Sequence, residues 1–225
     1  MTKQSRVQYI FLQLGYHLPY SIFGVTIALL LMGVLTFFTS LLNGEELLPR
    51  ASEELFHITH ASHILLSTVA TTAMFWKHEK AIIKATVIGL IGAIGICSLS
   101  DIIFPFLGGR LLGMPMEMHI CVIEHPEIIL PFAVVGLMAG FFVIGAIEKS
   151  TQYSHSGHVL VSSIASLLYL LAYGVHDWVH SLGWVFLITV VSVMIPCCVS
   201  DIVFPLWCVH KNCVHGEITE TYEPH

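Results

Sequence analysis

Residues 81–107 read AIIKATVIGLIGAIGICSLSDIIFPFL, a run long and apolar enough to cross a bilayer but for one lysine at its start and one aspartate, Asp101, near its end. A spanning helix needs roughly 20 predominantly apolar residues. An ionisable group inside such a run is costly and usually functional. The end of this stretch, Cys97-x-x-Ser-Asp-Ile-x-Phe-Pro105, recurs as Cys197-x-x-Ser-Asp-Ile-x-Phe-Pro205, which places Asp201 in the same setting.

Working outward, five further segments meet the same length and composition, so the expected helices are 21–42, 56–76, 81–107, 128–147, 159–175 and 182–207. The 225 residues are 56% hydrophobic and 11% charged, with mean hydropathy +0.82. A soluble domain carries roughly 25% charged residues. The fold class expected is an all-α, polytopic membrane helix bundle of six transmembrane helices. Proline one turn after each aspartate is expected to kink or end its helix and free backbone carbonyls. The N-terminus has positive charges but no small-residue cleavage site, so it reads as retained rather than as a signal peptide.

Lysine and arginine set the orientation. With the N-terminus inside, the cytoplasmic loops collect Lys3, Arg6, Lys77, Lys80, Lys84, Lys149 and Lys211, against Arg50 and Arg110 outside. An integral protein of the plasma (inner) membrane, with both termini cytoplasmic, follows from this bias.

The chain also repeats itself. Leu18-Pro19-Tyr20 with Gly24 and Gly33 matches Leu130-Pro131-Phe132 with Gly136 and Gly145, and His60-x-x-His63 matches His155-x-x-His158. The repeated aspartate motifs complete the series. Each half, about 18–110 and 130–208, therefore has three helices with landmarks in one order, and residues 209–225 form a cytoplasmic tail. Three helices per repeat force the second half to enter from the opposite side, an inverted-repeat plan common in secondary transporters.

Fourteen histidines outnumber the nine lysines and arginines. Histidine is the commonest metal ligand. His60 and His63 share one helical face, continued by Ser67, Thr71 and Met74 and preceded by His57; His158, Ser162, Ser166, Tyr169, Tyr173, His176 and His180 make a matching line in the second half. The expected metal sites are His60, His63 and Asp101 near the outer face, and His155, His158 and Asp201 near the cytoplasmic face. Two imidazoles and a carboxylate suit a divalent transition metal. His119, Glu124 and His125, with Glu117, and the group His176, Asp177 and His180 are outer candidates that would complete a site or collect ions. Cys208, His210, Cys213 and His215 in the tail are a further candidate set, whereas Cys97, Cys197 and Cys198 read as buried apolar residues.

These features point to a transporter or facilitator for a divalent transition metal (zinc foremost, then nickel, cobalt or iron) whose partners are the ion and the lipid bilayer. A homo-oligomer is among the expected assemblies. Two alternatives stand beside it. One is a di-haem b-type electron carrier, with His63 and His176 on an outer haem and His78 and His158 on an inner one. The other is an intramembrane zinc-dependent hydrolase. The acidic balance of 15 Asp and Glu against 9 Lys and Arg argues against nucleic acid, and no phosphate-binding glycine loop or Ser-His-Asp elbow occurs.

Overall fold

In a computed structural model, residues 6–42, 47–78, 80–175 and 177–198 are described, and among them every regular element is helical. The helices are α1 (Arg6–Leu41), α2 (Leu47–His78), α3 (Ile82–Ser98), α4 (Phe104–Leu111), α5 (Cys121–Glu124), α6 (Pro126–Phe142), α7 (Ile144–Ala172) and α8 (Leu182–Cys198), with a π turn at Leu99–Ile103 joining α3 to α4. Two stretches, His17–Leu41 and Ile82–Leu111, are long and apolar enough to cross a membrane, and Pro126–Phe142, Ser156–Ala172 and Leu182–Pro196 are shorter apolar helices.

Contacts fix the directions. Asp101 meets His60 and His63, so α3 runs back along α2. His158 meets His63 while Tyr169 meets Phe56, so α7 is antiparallel to α2. Gly136 and Gly140 of α6 lie against Leu65, Thr68, Val69 and Thr72 in rising order, so α6 is parallel to α2. The outward faces remain apolar: Phe23, Phe37, Ile83, Leu111 and Phe142 are all more than half exposed.

Several boundaries differ from the sequence expectation: α1 begins at Arg6 rather than at residue 21 and α6 ends at Phe142 rather than at 147, and three further differences bear on the site. First, Pro105 does not end its helix. A proline has no N–H to give and its ring crowds the carbonyl four residues back. The chain absorbs this by widening to a π turn, in which Phe104 N–H donates to the Leu99 carbonyl, and the helix continues to Leu111. Second, α2 begins at Leu47, so Arg50, Glu53 and Glu54 are helical rather than in a loop. Third, α7 starts at Ile144, directly after Val143, and runs through the polar stretch before residue 159. That stretch contains a single glycine and no proline, and polarity alone does not stop a helix.

The core is sealed by close approach of α6 to α2. A Cβ on Gly136 would come within 2.6 Å of the Leu65 carbonyl oxygen and 3.0 Å of Thr68 Cβ, and one on Gly140 within 2.7 Å of Thr72 Cβ. Small residues four apart allow such contact between membrane helices. The corresponding Gly24 of α1 faces Leu160 and Ser163 of α7. Gly95, in contrast, has nothing within 4 Å of its would-be Cβ. Gly136→Ala is therefore expected to destabilise the bundle by about 1–3 kcal/mol through overpacking, and Gly95→Ala to leave it unchanged or slightly firmer. Thermal unfolding in detergent compares them; equal melting of the two variants would refute tight α2–α6 packing.

Candidate metal centre

The N-terminal half of α2 presents His57, His60 and His63 at successive turns, and these three divide between two sites. His57 meets the segment that links α4 to α6. There His119 lies just before the single-turn α5, and His125 sits between α5 and α6. The ligand atoms of His57, His119 and His125 all lie within 4.8 Å of one another, so this group could hold a metal ion. His57 Nε2 is 3.2 Å from His119 Nε2. With metal–nitrogen distances of about 2.0–2.1 Å, two imidazole nitrogens on one tetrahedral ion lie roughly 3.3–3.4 Å apart, and cis nitrogens on a square or octahedral ion about 2.9 Å.

The rings are held from behind. His119 Nδ1 donates to Glu124 Oε2 at 2.9 Å, and His125 Nδ1 donates to Glu127 Oε1 at 3.2 Å. A carboxylate on the far nitrogen fixes the tautomer and raises the basicity of the ligating one. The other Glu124 oxygen accepts the Ile120 N–H at 3.0 Å. That bond, with the neighbouring His119 and His125, holds the Glu124 carboxyl below the usual carboxylate range. Glu124 thus stands behind a histidine in this arrangement, outside the three converging ligand atoms. Cys121 is not among the ligand atoms that converge here, and burial pushes its thiol up to about 12.

Aromatic residues lock this segment to α7. His119 stacks on Tyr173 with ring centroids 4.8 Å apart, and its backbone N–H donates to the Tyr169 hydroxyl, which in turn donates to the Glu117 carbonyl. Phe56 packs edge-on to Tyr169 and Tyr173 and stacks on His60. An aromatic layer therefore separates the three-histidine group from the second site.

The second site is interior. His60, His63, Asp101 and His158 are 0%, 1%, 0% and 4% exposed. Asp101 Oδ2 accepts from His60 Nδ1 at 2.8 Å and from His63 Nδ1 at 2.7 Å. Its Oδ1 lies 2.7 Å from the Ser100 hydroxyl and 2.9 Å from that of Ser162. His63 Nε2 faces His158 Nε2 at 3.0 Å. The π turn explains how Ser100 and Asp101 both point inward, since the widened turn rotates the side chains that follow it; such turns are frequent at functional sites.

Of the residues expected from sequence, His60, His63 and Asp101 do converge. His158 is placed differently. Expected near the opposite face, it meets His63 in the interior, because α7 begins so early that residue 158 lies near its middle. The haem pairing expected from sequence put His63 and His158 on different haems, whereas here their rings are in contact. His119, Glu124 and His125 come together as described, whereas His180 pairs with Asp177 at the surface at 2.8 Å and is 86% exposed. That Asp177 contact raises the His180 imidazole above its ordinary value. The side chain of His155, and His176, Asp201 and the tail residues Cys208, His210, Cys213 and His215, lie outside the described residues. The residue underrated by sequence is His57, although its spacing, three before His60, was the available signal.

No known protein family, curated protein or solved structure matches this chain.

The three-histidine group makes a direct prediction for zinc. Glu124→Gln is expected to weaken zinc binding there by about 10–100-fold, and Cys121→Ala to leave it unchanged. Competition against a chromogenic chelator reads both; equal affinities for the Glu124 variant and the unaltered protein would remove the supporting role of the carboxylate.

Proposed function

We propose that this protein is a membrane transporter or facilitator for a divalent transition metal ion, zinc foremost. The observation that carries the reading is the arrangement of two sites on one helix. A partly exposed three-histidine group lies one turn of α2 from a fully buried His/Asp group, with an aromatic layer between them. An ion captured at the first group has the second as its next polar station. Three imidazole nitrogens favour zinc, nickel, cobalt or iron over magnesium and calcium, which prefer oxygen ligands.

The proposal includes six membrane passes arranged as two inverted repeats. Alternating helix directions and apolar outer faces support the passes. Repeated contacts support the inversion: Gly136 packs on Leu65 and Thr68, and its sequence counterpart Gly24 packs on the matching Leu160 and Ser163. His63 and His158, counterparts in the two His-x-x-His motifs, face one another, as two residues beside a two-fold axis would. In inverted-repeat transporters, ion sites lie near the middle of the membrane at the repeat interface, beside interrupted helices. The π turn before Pro105 is a milder irregularity at the corresponding depth, since the helix continues through it.

A second reading has one observation in its favour. Three histidines with carboxylates behind two of them are also the protein donor set of a hydrolytic zinc centre. Purified protein that cleaves amides or esters in a zinc-dependent way, without moving ions, would favour that reading.

The transport test uses the full chain in proteoliposomes with a zinc-sensitive dye inside. Zinc entry is expected, with loss of flux in the double variant Asp101→Asn, Asp201→Asn and a large fall in His57→Ala. Unchanged flux in the double aspartate variant would end this mechanism.

A further inference from the structure

The buried group differs from the two separate sites the repeats suggest, and its hydrogen bonds say how. Asp101 is saturated: two imidazole N–H groups approach one oxygen and two serine hydroxyls the other. It has little left to offer an ion directly. What it does is fix the histidines. A neutral His63 that gives its Nδ1 hydrogen to Asp101 carries its lone pair on Nε2, and that atom points at His158 Nε2, 3.0 Å away. The separation falls in the range for two nitrogens bound cis on a single metal ion, about 2.9–3.4 Å. One nitrogen comes from each repeat.

A further observation points to a cation here. Among the described residues the ion-pair partners of Asp101 are two histidines, with no permanently charged lysine or arginine among them against this fully buried carboxylate. A buried charge needs compensation. A divalent cation on the far side of the His63 ring would supply it, with Asp101 behind His63 as Glu124 stands behind His119.

We propose that His63 and His158 form a second, central transition-metal site shared by the two halves of the chain, with Asp101 as the residue that positions His63 and not as a ligand. This rests on the metal-ion part of the proposed function but not on transport. The central site lies six residues along α2 from His57, roughly 9 Å at 1.5 Å per residue, so both sites can be filled together. A bridging location between repeats is also where alternating access would expose one ion to either side in turn.

The test counts ions bound to the full-length protein in detergent after equilibrium dialysis against zinc. The unaltered chain is expected to hold two zinc ions, the triple variant His57→Ala, His119→Ala, His125→Ala one, and His158→Ala one. Asp101→Asn is expected to keep two, with the central one weaker by about 10–100-fold. Because loss of a buried ring can unfold the bundle, a cobalt titration of the unaltered protein provides a check without variants. Its visible absorption should rise in two steps and saturate at two ions per chain.

A single ion in the unaltered chain overturns the proposal and leaves His63 and His158 sharing a proton. Two ions persisting in His158→Ala overturn it as well. Two ions bound without any zinc flux would instead uphold the central site and remove the transporter reading; flux with one bound ion would do the reverse.

Discussion

The carboxylate of Asp101 lies in the interior of a bundle whose outer faces are apolar, and its charge dictates what surrounds it. An uncompensated buried anion costs several kcal/mol even after relaxation. The chain meets this with four polar groups drawn from three places: His60 and His63 from α2, Ser100 from the π turn, and Ser162 from α7. Each element is thereby tied to the other two. The π turn serves the same end, since it lets the chain pass Pro105 while keeping Ser100 and Asp101 on the inner side. Even Ser166 of α7, hydrogen-bonded to the Ser100 carbonyl at 3.0 Å, satisfies a backbone oxygen in this widened region.

That constraint explains why much of the architecture was legible in the sequence. Apolar runs of membrane length mark the helices because lipid-like faces and a packed core both demand them. A lone aspartate in such a run implies partners, and the nearest candidates on the preceding helix, His60 and His63, are the ones it meets. The small residues of the Leu-Pro-aromatic segments mark close helix contacts, and Gly136 and Gly24 make them. What could not be read was depth. The position of His158 depends on where α7 begins, and the stretch from Glu148 to Gly157 has the polarity of a loop with the backbone preferences of a helix. Its helical course carries His158 from the expected membrane face to the middle of the bundle.

The three-histidine group was half legible for a different reason. His119 and His125 stand in a linker whose path no periodicity records, so their approach to α2 is a tertiary fact. Met116 shows what guides that path. Its side chain fills the space left by Gly109 and Gly174, where an added Cβ would lie within 2.7 Å of its sulfur. The Glu117 N–H is bound to the Tyr173 carbonyl. With the linker pinned to α7 at these points, His119 has little choice but to face His57.

The two sites also differ in the kind of support behind their imidazoles, and that difference bears on their roles. At the three-histidine group the carboxylates are on the surface: Glu124 and Glu127 are 48% and 67% exposed, where water screens their charge and an arriving cation meets little desolvation cost. At the interior pair the supporting carboxylate is fully buried, so its field is barely screened and acts at greater strength on anything bound beyond His63. An ion gains more electrostatic stabilisation in the interior but must shed its water to get there. Under the proposed function, the partly exposed group would capture an ion, with its hydration only partly removed, before the aromatic layer of Phe56, Tyr169 and Tyr173 is passed. A single catalytic centre would need only one of these environments. The presence of both in sequence along α2 is the physical argument for the proposed transport rather than for a single catalytic centre.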